Sequence, residues 1–165
     1  MSQVYAIVHR KKNCVFGISP SHNITRARET EYADTTKWLA NRGYIDYLCP
    51  QVYWGQGFAL HNGSTRFAFE NIVPAWLAYP RAADVALYFG LGAYRVGVGD
   101  GGSNENSLSG WSTGRALADQ VAFLREQGAG GWALYRYGSL FGPEQTSLAA
   151  AECGALAAAD GKETA

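Results

Sequence analysis

Four short apolar stretches, each followed by a segment of helical periodicity, constrain the fold of this chain more than any other feature. They occupy residues 14–19 (CVFGIS), the centre of 43–58 (GYIDYLCPQVYWGQGF), 85–94 (VALYFGLGAY) and 131–137 (GWALYRY). Each is too short for a helix and rich in β-branched or aromatic residues, which predicts strands. The segments between them predict helices. Residues 32–42 align Tyr32, Thr36 and Leu39 on one stripe and stop at Gly43, a natural C-cap. Phe69, Ile72, Val73, Trp76 and Leu77 recur at helical spacing, with Pro74 acceptable in a first turn or at a kink. Leu117, Val121 and Leu124 mark a helix ended by Gly128, and Pro143 and Glu144 open an alanine-rich helix reaching Ala159. Before the first strand, Val4, Ile7 and Val8 share a helical face, and Arg10, Lys11 and Lys12 suit its negative end.

Strands alternating with helices at roughly 40-residue spacing imply right-handed crossovers and a parallel sheet. An open doubly wound sheet usually carries a Gly-rich phosphate loop after its first strand, and FGISPSHN has none. A (β/α)8 barrel takes about 250 residues. The expected fold is therefore α/β, a parallel-stranded half of a TIM (β/α)8 barrel, with four βα units preceded by a helix. Residues 1–165 would form a single domain, its core over about 4–142 and its C-terminal helix over about 143–159.

Strand side chains alternate, so direction can be read along each run. In a parallel barrel the outward face meets helices and is aliphatic. Leu48 and Val52 then point out, while Tyr47, Cys49, Gln51 and Tyr53 point in. By the same rule Gly17 and Ser19 point in, as do Tyr88, Gly90, Gly92 and Tyr94. The last strand is ambiguous, and the preferred register turns Tyr135 and Tyr137 inward. Ser19, Gln51, Tyr53, Tyr94 and Tyr137 would then ring the mouth, able to bond hydroxyls and stack on sugar faces. His22 with Asn23, just past Ser19, is a further polar candidate, against the plainer reading of a loop histidine. A strand that merely fills a core with tyrosines remains the bland alternative.

Fourteen basic residues cancel fourteen acidic ones, which gives no support to nucleic acid or an anionic membrane as partner. Cys14, Cys49 and Cys153 show no C-x-x-C spacing and no clustered histidines, so neither a disulfide framework nor a metal site is expected, and no cofactor. No apolar run has the length of a transmembrane segment, and no signal-peptide core opens the chain. Glycoside hydrolysis uses paired carboxylates. Asp46 sits at the start of its strand, on the wrong rim. Asp34 and Glu70 belong to helices, and Asp100 and Glu105 to the loop over 97–110. None is assigned as catalytic.

The blocks FGISPS at 16–21, YADTTKWLANRGYIDYLCPQVYWG at 32–55, LYFGLGAYRVG at 87–97 and GWALYRYGSLF at 131–141 resemble, in order, those of the glycosyl hydrolase-like family 10, a bacterial (β/α)8 barrel group. The resemblance covers about residues 4–142 and implies that the four strands are the fifth to eighth of the barrel. It further implies glycosidase activity, including on peptidoglycan glycan strands stripped of peptide, in secreted or cell-envelope proteins. The family's acidic motif closes the fourth strand and has no counterpart here. The matched positions Ser19, Asn23, Gln51, Tyr53, Trp54, Tyr94 and Tyr137 carry over as substrate-facing candidates. Two readings stand first: a hydrolase half-barrel whose acids lie in a missing N-terminal half, and a non-catalytic carbohydrate-binding half-barrel that self-associates through open sheet edges. An open α/β domain binding a small non-sugar ligand is the third.

Overall fold

The computed structural model describes residues 1–103, 106–143 and 145–160. Helix α1 (Ser2–Val8) forms where the Val4/Ile7/Val8 stripe predicts it, yet none of its residues is buried. Polar contacts fasten it instead. The Tyr5 ring stacks on His9 at 4.0 Å, and His9 Nε2 lies 2.8 Å from Asp46 Oδ2, which also accepts from the Phe16 N–H at 2.5 Å. Burial pushes the Asp46 carboxyl up, but the hydrogen bonds from Phe16, His9 and Tyr5 outweigh it and hold the group below its ordinary range. Asp46 is thus occupied in tying α1 to the rim where the strands begin.

The strands are β1 (Gly17–Ile18), β2 (Tyr47–Leu48), β3 (Gln51–Val52), β4 (Ala86–Leu87), β5 (Phe89–Leu91) and β6 (Trp132–Leu134). All pair in parallel, β1 with β2 and β2 with β4, then β3 with β5 and β5 with β6. The second and third expected strands are each split in two. Proline has no N–H to give a ladder, and Pro50 separates β2 from β3. Single bonds carry the pairing across the breaks, from Tyr88 N to Leu48 O and from Gly90 N to Pro50 O, both at 2.9 Å. The fold is therefore mixed α/β with parallel strands in two small sheets. Neighbouring segments pair in chain order, without the reversal a doubly wound sheet requires.

The helices cover one side. Helix α2 (Ile24–Glu29) forms in the polar stretch after the first strand, where no helix was expected, because Asn23 Oδ1 accepts from Arg26 N at 3.1 Å and caps it. Helix α3 (Thr35–Ala40) is shorter than expected: Asp34 caps it, so Tyr32 stands outside, in the left-handed region at φ 53°. Its buried residues are Thr35 and Leu39 rather than the predicted Tyr32, Thr36 and Leu39. Helix α4 (Phe69–Leu77) keeps Pro74 in its interior, past the first turn, at the cost of one bond to the Glu70 carbonyl. A short α5 (Asn106–Ser109) interrupts the long loop, and α6 (Ala116–Glu126) buries Leu117, Val121 and Leu124 as their spacing predicts. Helices α7 (Tyr137–Phe141) and α8 (Ser147–Asp160) close the described chain. Glu152 of α8 accepts from Ala116 N and Leu117 N at 2.7 and 3.1 Å, capping α6 from outside.

Alternation along the strands decides where the core lies. Leu48, Val52, Leu87, Phe89 and Leu91 are at most 1% exposed and pack with Phe69, Trp76, Leu117 and Val121. Tyr47, Gln51, Tyr53 and Tyr88, on the opposite face, stay half-buried. Gly17 is required on that face, since a Cβ there would fall within the Tyr47 ring that crosses it.

Candidate functional site at the strand ends

The C-terminal ends of β1 and β3 frame an open groove of about 500 Å³, a size suited to a small ligand, lined by Ser19, His22, Gln51, Tyr53 and Trp54 together with Arg26 and Glu31. Gln51 N bonds Pro20 O at 2.9 Å, and its side-chain Nε2 donates to Ser19 O at 3.0 Å. The amide is thereby held across two strand ends with its Oε1 left as an acceptor. Trp54 follows at the point where the chain leaves the sheet, and two neighbours fix its backbone. Gln120 Nε2 donates to Trp54 O at 2.9 Å, and the next residue, Gly55, donates its N–H to Asp100 at 2.9 Å.

His22 packs between two rings, 4.0 Å from Trp54 and 4.7 Å edge-on to Phe67. Burial, with a smaller push from the Arg26 charge, lowers its pKa to about 4. It is neutral near pH 7 and acts there as a wedge behind the Trp54 indole. Asn23 spends its side-chain oxygen on the α2 cap and lies beside the groove rather than in it.

On the other side Tyr53 stacks on Tyr135 at 5.6 Å and 18°, and meets Tyr94 edge-on at 5.6 Å. Tyr94 and Tyr135 touch edge-on at 6.1 Å, completing a trio. Gly92 permits it, since a Cβ there would sit 3.1 Å from Tyr53 Cβ. Burial chiefly, with Tyr94, Cys49 and Tyr135 adding to it, pushes the Tyr53 phenol up to about 12, so it remains a hydrogen-bond donor at physiological pH. The inward register expected for Tyr135 agrees with this stacking. Tyr137 differs: the last strand ends at Leu134, Arg136 adopts the extended N-cap conformation, and Tyr137 opens α7 with its ring 5.1 Å from Phe141. The alternation argument fails there because the strand has already ended.

Carboxylates near the site are engaged elsewhere. Asp100, 6% exposed, accepts from Gly55 N, Gly102 N, Ser107 Oγ and Trp111 Nε1 at 2.8–3.0 Å. Glu70 holds the Gly57 N–H with both oxygens, and Asp34 caps α3. Glu105 lies outside the described residues. Glu31, which sequence reasoning passed over, reaches the groove and pairs with Arg26 Nε at 3.2 Å. Arg26 belongs to α2, which carries it to the groove, and Glu31 follows that helix. Among the described residues no His, Cys, Asp or Glu group could hold a metal ion, and no helix is long and apolar enough to cross a membrane. The arrangement offers aromatic faces, phenolic donors and amide acceptors, which is chemistry for polyhydroxylated ligands.

Comparison with known proteins points the same way. The family model described as glycosyl hydrolase-like 10 matches residues 1–106, a span that holds every groove residue named above but excludes Tyr135 and Tyr137. Glycosyl hydrolase YngK of Bacillus subtilis strain 168 is 30% identical over 95 residues, which are 58% of this chain and 16% of that protein. Glycosyl hydrolase DigH of Escherichia coli strain K12 is 30% identical over 71 residues, 43% of this chain and 15% of that protein. The matched stretch of this chain therefore spans no more than 16% of the length of either relative.

Proposed function

The chain belongs to the glycosyl hydrolase-like 10 family, and from that membership we propose that its groove is the carbohydrate-facing wall of a (β/α)8 barrel of which these four parallel units are the C-terminal half. The substrate class is bacterial polysaccharide, with peptidoglycan glycan strands as the leading member. The observation that carries the reading is the convergence of Gln51, Tyr53 and Trp54 at the strand ends, each braced from behind. Pyranose rings present apolar C–H faces and outward hydroxyls. Trp54 and the tyrosine trio suit the faces, and Gln51 Oε1 with the protonated Tyr53 phenol suits the hydroxyls.

Cleavage needs two carboxyl groups, about 5–5.5 Å apart for retention or about 6.5–9.5 Å apart for inversion. Glu31 is the one carboxylate lining the groove among the described residues, and it is paired with Arg26. The catalytic acids are accordingly assigned to the complementary barrel half, and this chain to binding and orienting the sugar. A second reading, a self-associating carbohydrate-binding half-barrel, is favoured by β1 and β6, each paired on one side alone among the described strands. The test is titration of the 165-residue chain with peptide-free glycan strands, alongside Tyr53→Ala and Trp54→Ala. Binding without hydrolysis, weakened by about tenfold in each variant as expected for a lost stacking face, is the expected result. Absence of binding, or cleavage by the chain alone, overturns it. A dimeric mass in solution selects the second reading.

A further inference from the structure

The groove does not end at His22. Arg26 lines it and also a second open groove, formed by Asn23, Thr25, Glu29, Arg66 and Phe67. A ladder of rings joins the two: Trp54 on His22, His22 edge-on to Phe67, and the Arg66 guanidinium over Phe67 at 4.6 Å. A guanidinium seated over a ring face keeps its N–H edge available for hydrogen bonding. Arg26 meets Glu31 through Nε, which leaves its terminal nitrogens for another acceptor. No carboxylate pairs with Arg66 among the described residues. Two forked cations thus line the second groove against the single carboxylate of Glu29.

We propose that this second groove is the neighbouring subsite for the glycan chain, and that Arg26 and Arg66 select there a sugar bearing a carboxylate. The inference rests on the carbohydrate reading above. A neutral sugar would gain little from two guanidinium groups, whereas a carboxylate matches each in planar, bidentate fashion. Because both arginines are exposed, the effect is one of selectivity rather than of strong binding.

Calorimetric titration of the full chain with peptide-free glycan strands, their carboxyl groups either intact or methyl-esterified, tests it. The intact glycan should bind about tenfold more tightly. Arg66→Gln should reduce that preference by about threefold and leave affinity for the ester unchanged, whereas Arg26→Gln, which also lines the first groove, should weaken both glycans but the intact one about threefold more, as loss of one exposed ionic contact predicts. Arg28→Gln, on the same helix but in neither groove, should keep the full preference. Equal binding of both glycans overturns the acidic subsite while leaving the carbohydrate reading standing. So does equal loss toward both glycans in the variants, or an Arg28→Gln variant that loses the preference as Arg26→Gln does. A chain that binds neither glycan overturns both proposals together.

Discussion

Replacement of Asp100 by alanine should be among the most damaging single changes outside the apolar core. The carboxylate accepts four donors that come from two separate segments, Gly55 on one side and Gly102, Ser107 and Trp111 on the other. It is the clasp between the loop leaving β3 and the long loop that follows β5. Removing it leaves the donors without an acceptor, but not all at equal cost. Ser107 Oγ and Gly102 N are partly exposed and find water. Gly55 is partly exposed as well, whereas Trp111 is 1% exposed and its bond to Asp100 is buried, so the indole N–H remains dry. An unsatisfied buried donor costs about 1–3 kcal/mol, so the Trp111 indole sets a loss of about 1–3 kcal/mol. Asp100→Asn keeps the shape and one acceptor oxygen but turns an amide N–H₂ toward donors, and should fall between alanine and wild type. Denaturant unfolding measures both, read as the change in ΔG at constant m. A loss below about 1 kcal/mol for Asp100→Ala would refute the clasp, because it would mean that water already serves these donors. A further consequence separates the clasp from bulk stability. Gly55 follows Trp54 directly, so folded Asp100→Asn should bind glycan more weakly while His22 and Tyr53 stay in place.

Two further expectations follow from burial. His22 has a folded pKa of about 4 against an ordinary 6.5, so the unfolded chain takes up its proton first as pH falls. Its contribution is fully present above about pH 6.5 and lost toward pH 4; the denaturation midpoint should drop across that window and drop less in His22→Phe, and superimposable pH profiles would contradict the assignment. Leu48→Ala should cost about 2–5 kcal/mol by leaving a cavity in the apolar core, whereas Tyr47→Ala, half-buried on the other face, should cost less; the reverse order in thermal unfolding would show that the faces are misassigned.

The legible parts of the fold are those set by local sterics. The period-two alternation through 47–53 separates Leu48 and Val52 from Gln51 and Tyr53, and the burial of each follows that division. The spacing of Leu117, Val121 and Leu124 locates α6 for the same reason. Helix α2 went unseen because its single buried residue is Ala27, too little for an apolar stripe; the signal that could have found it was Asn23 as an N-cap. Tyr137 was placed in a strand because alternation has no means of saying where a strand ends.

By itself, the sequence determined which segments extend, which coil, and which strand face would be aliphatic, since φ/ψ preference and side-chain period are properties of neighbouring residues. It also placed Gln51, Tyr53 and Trp54 at a strand end. The tertiary structure alone decided what surrounds them. The His22 wedge needs Phe67, 45 positions further along, and the Asp100 clasp needs Gly55, 45 positions back. Such partners meet because the buried faces of β3, β5 and α4 lock the sheet and its helices together, and the loops above take the positions that this packing leaves them.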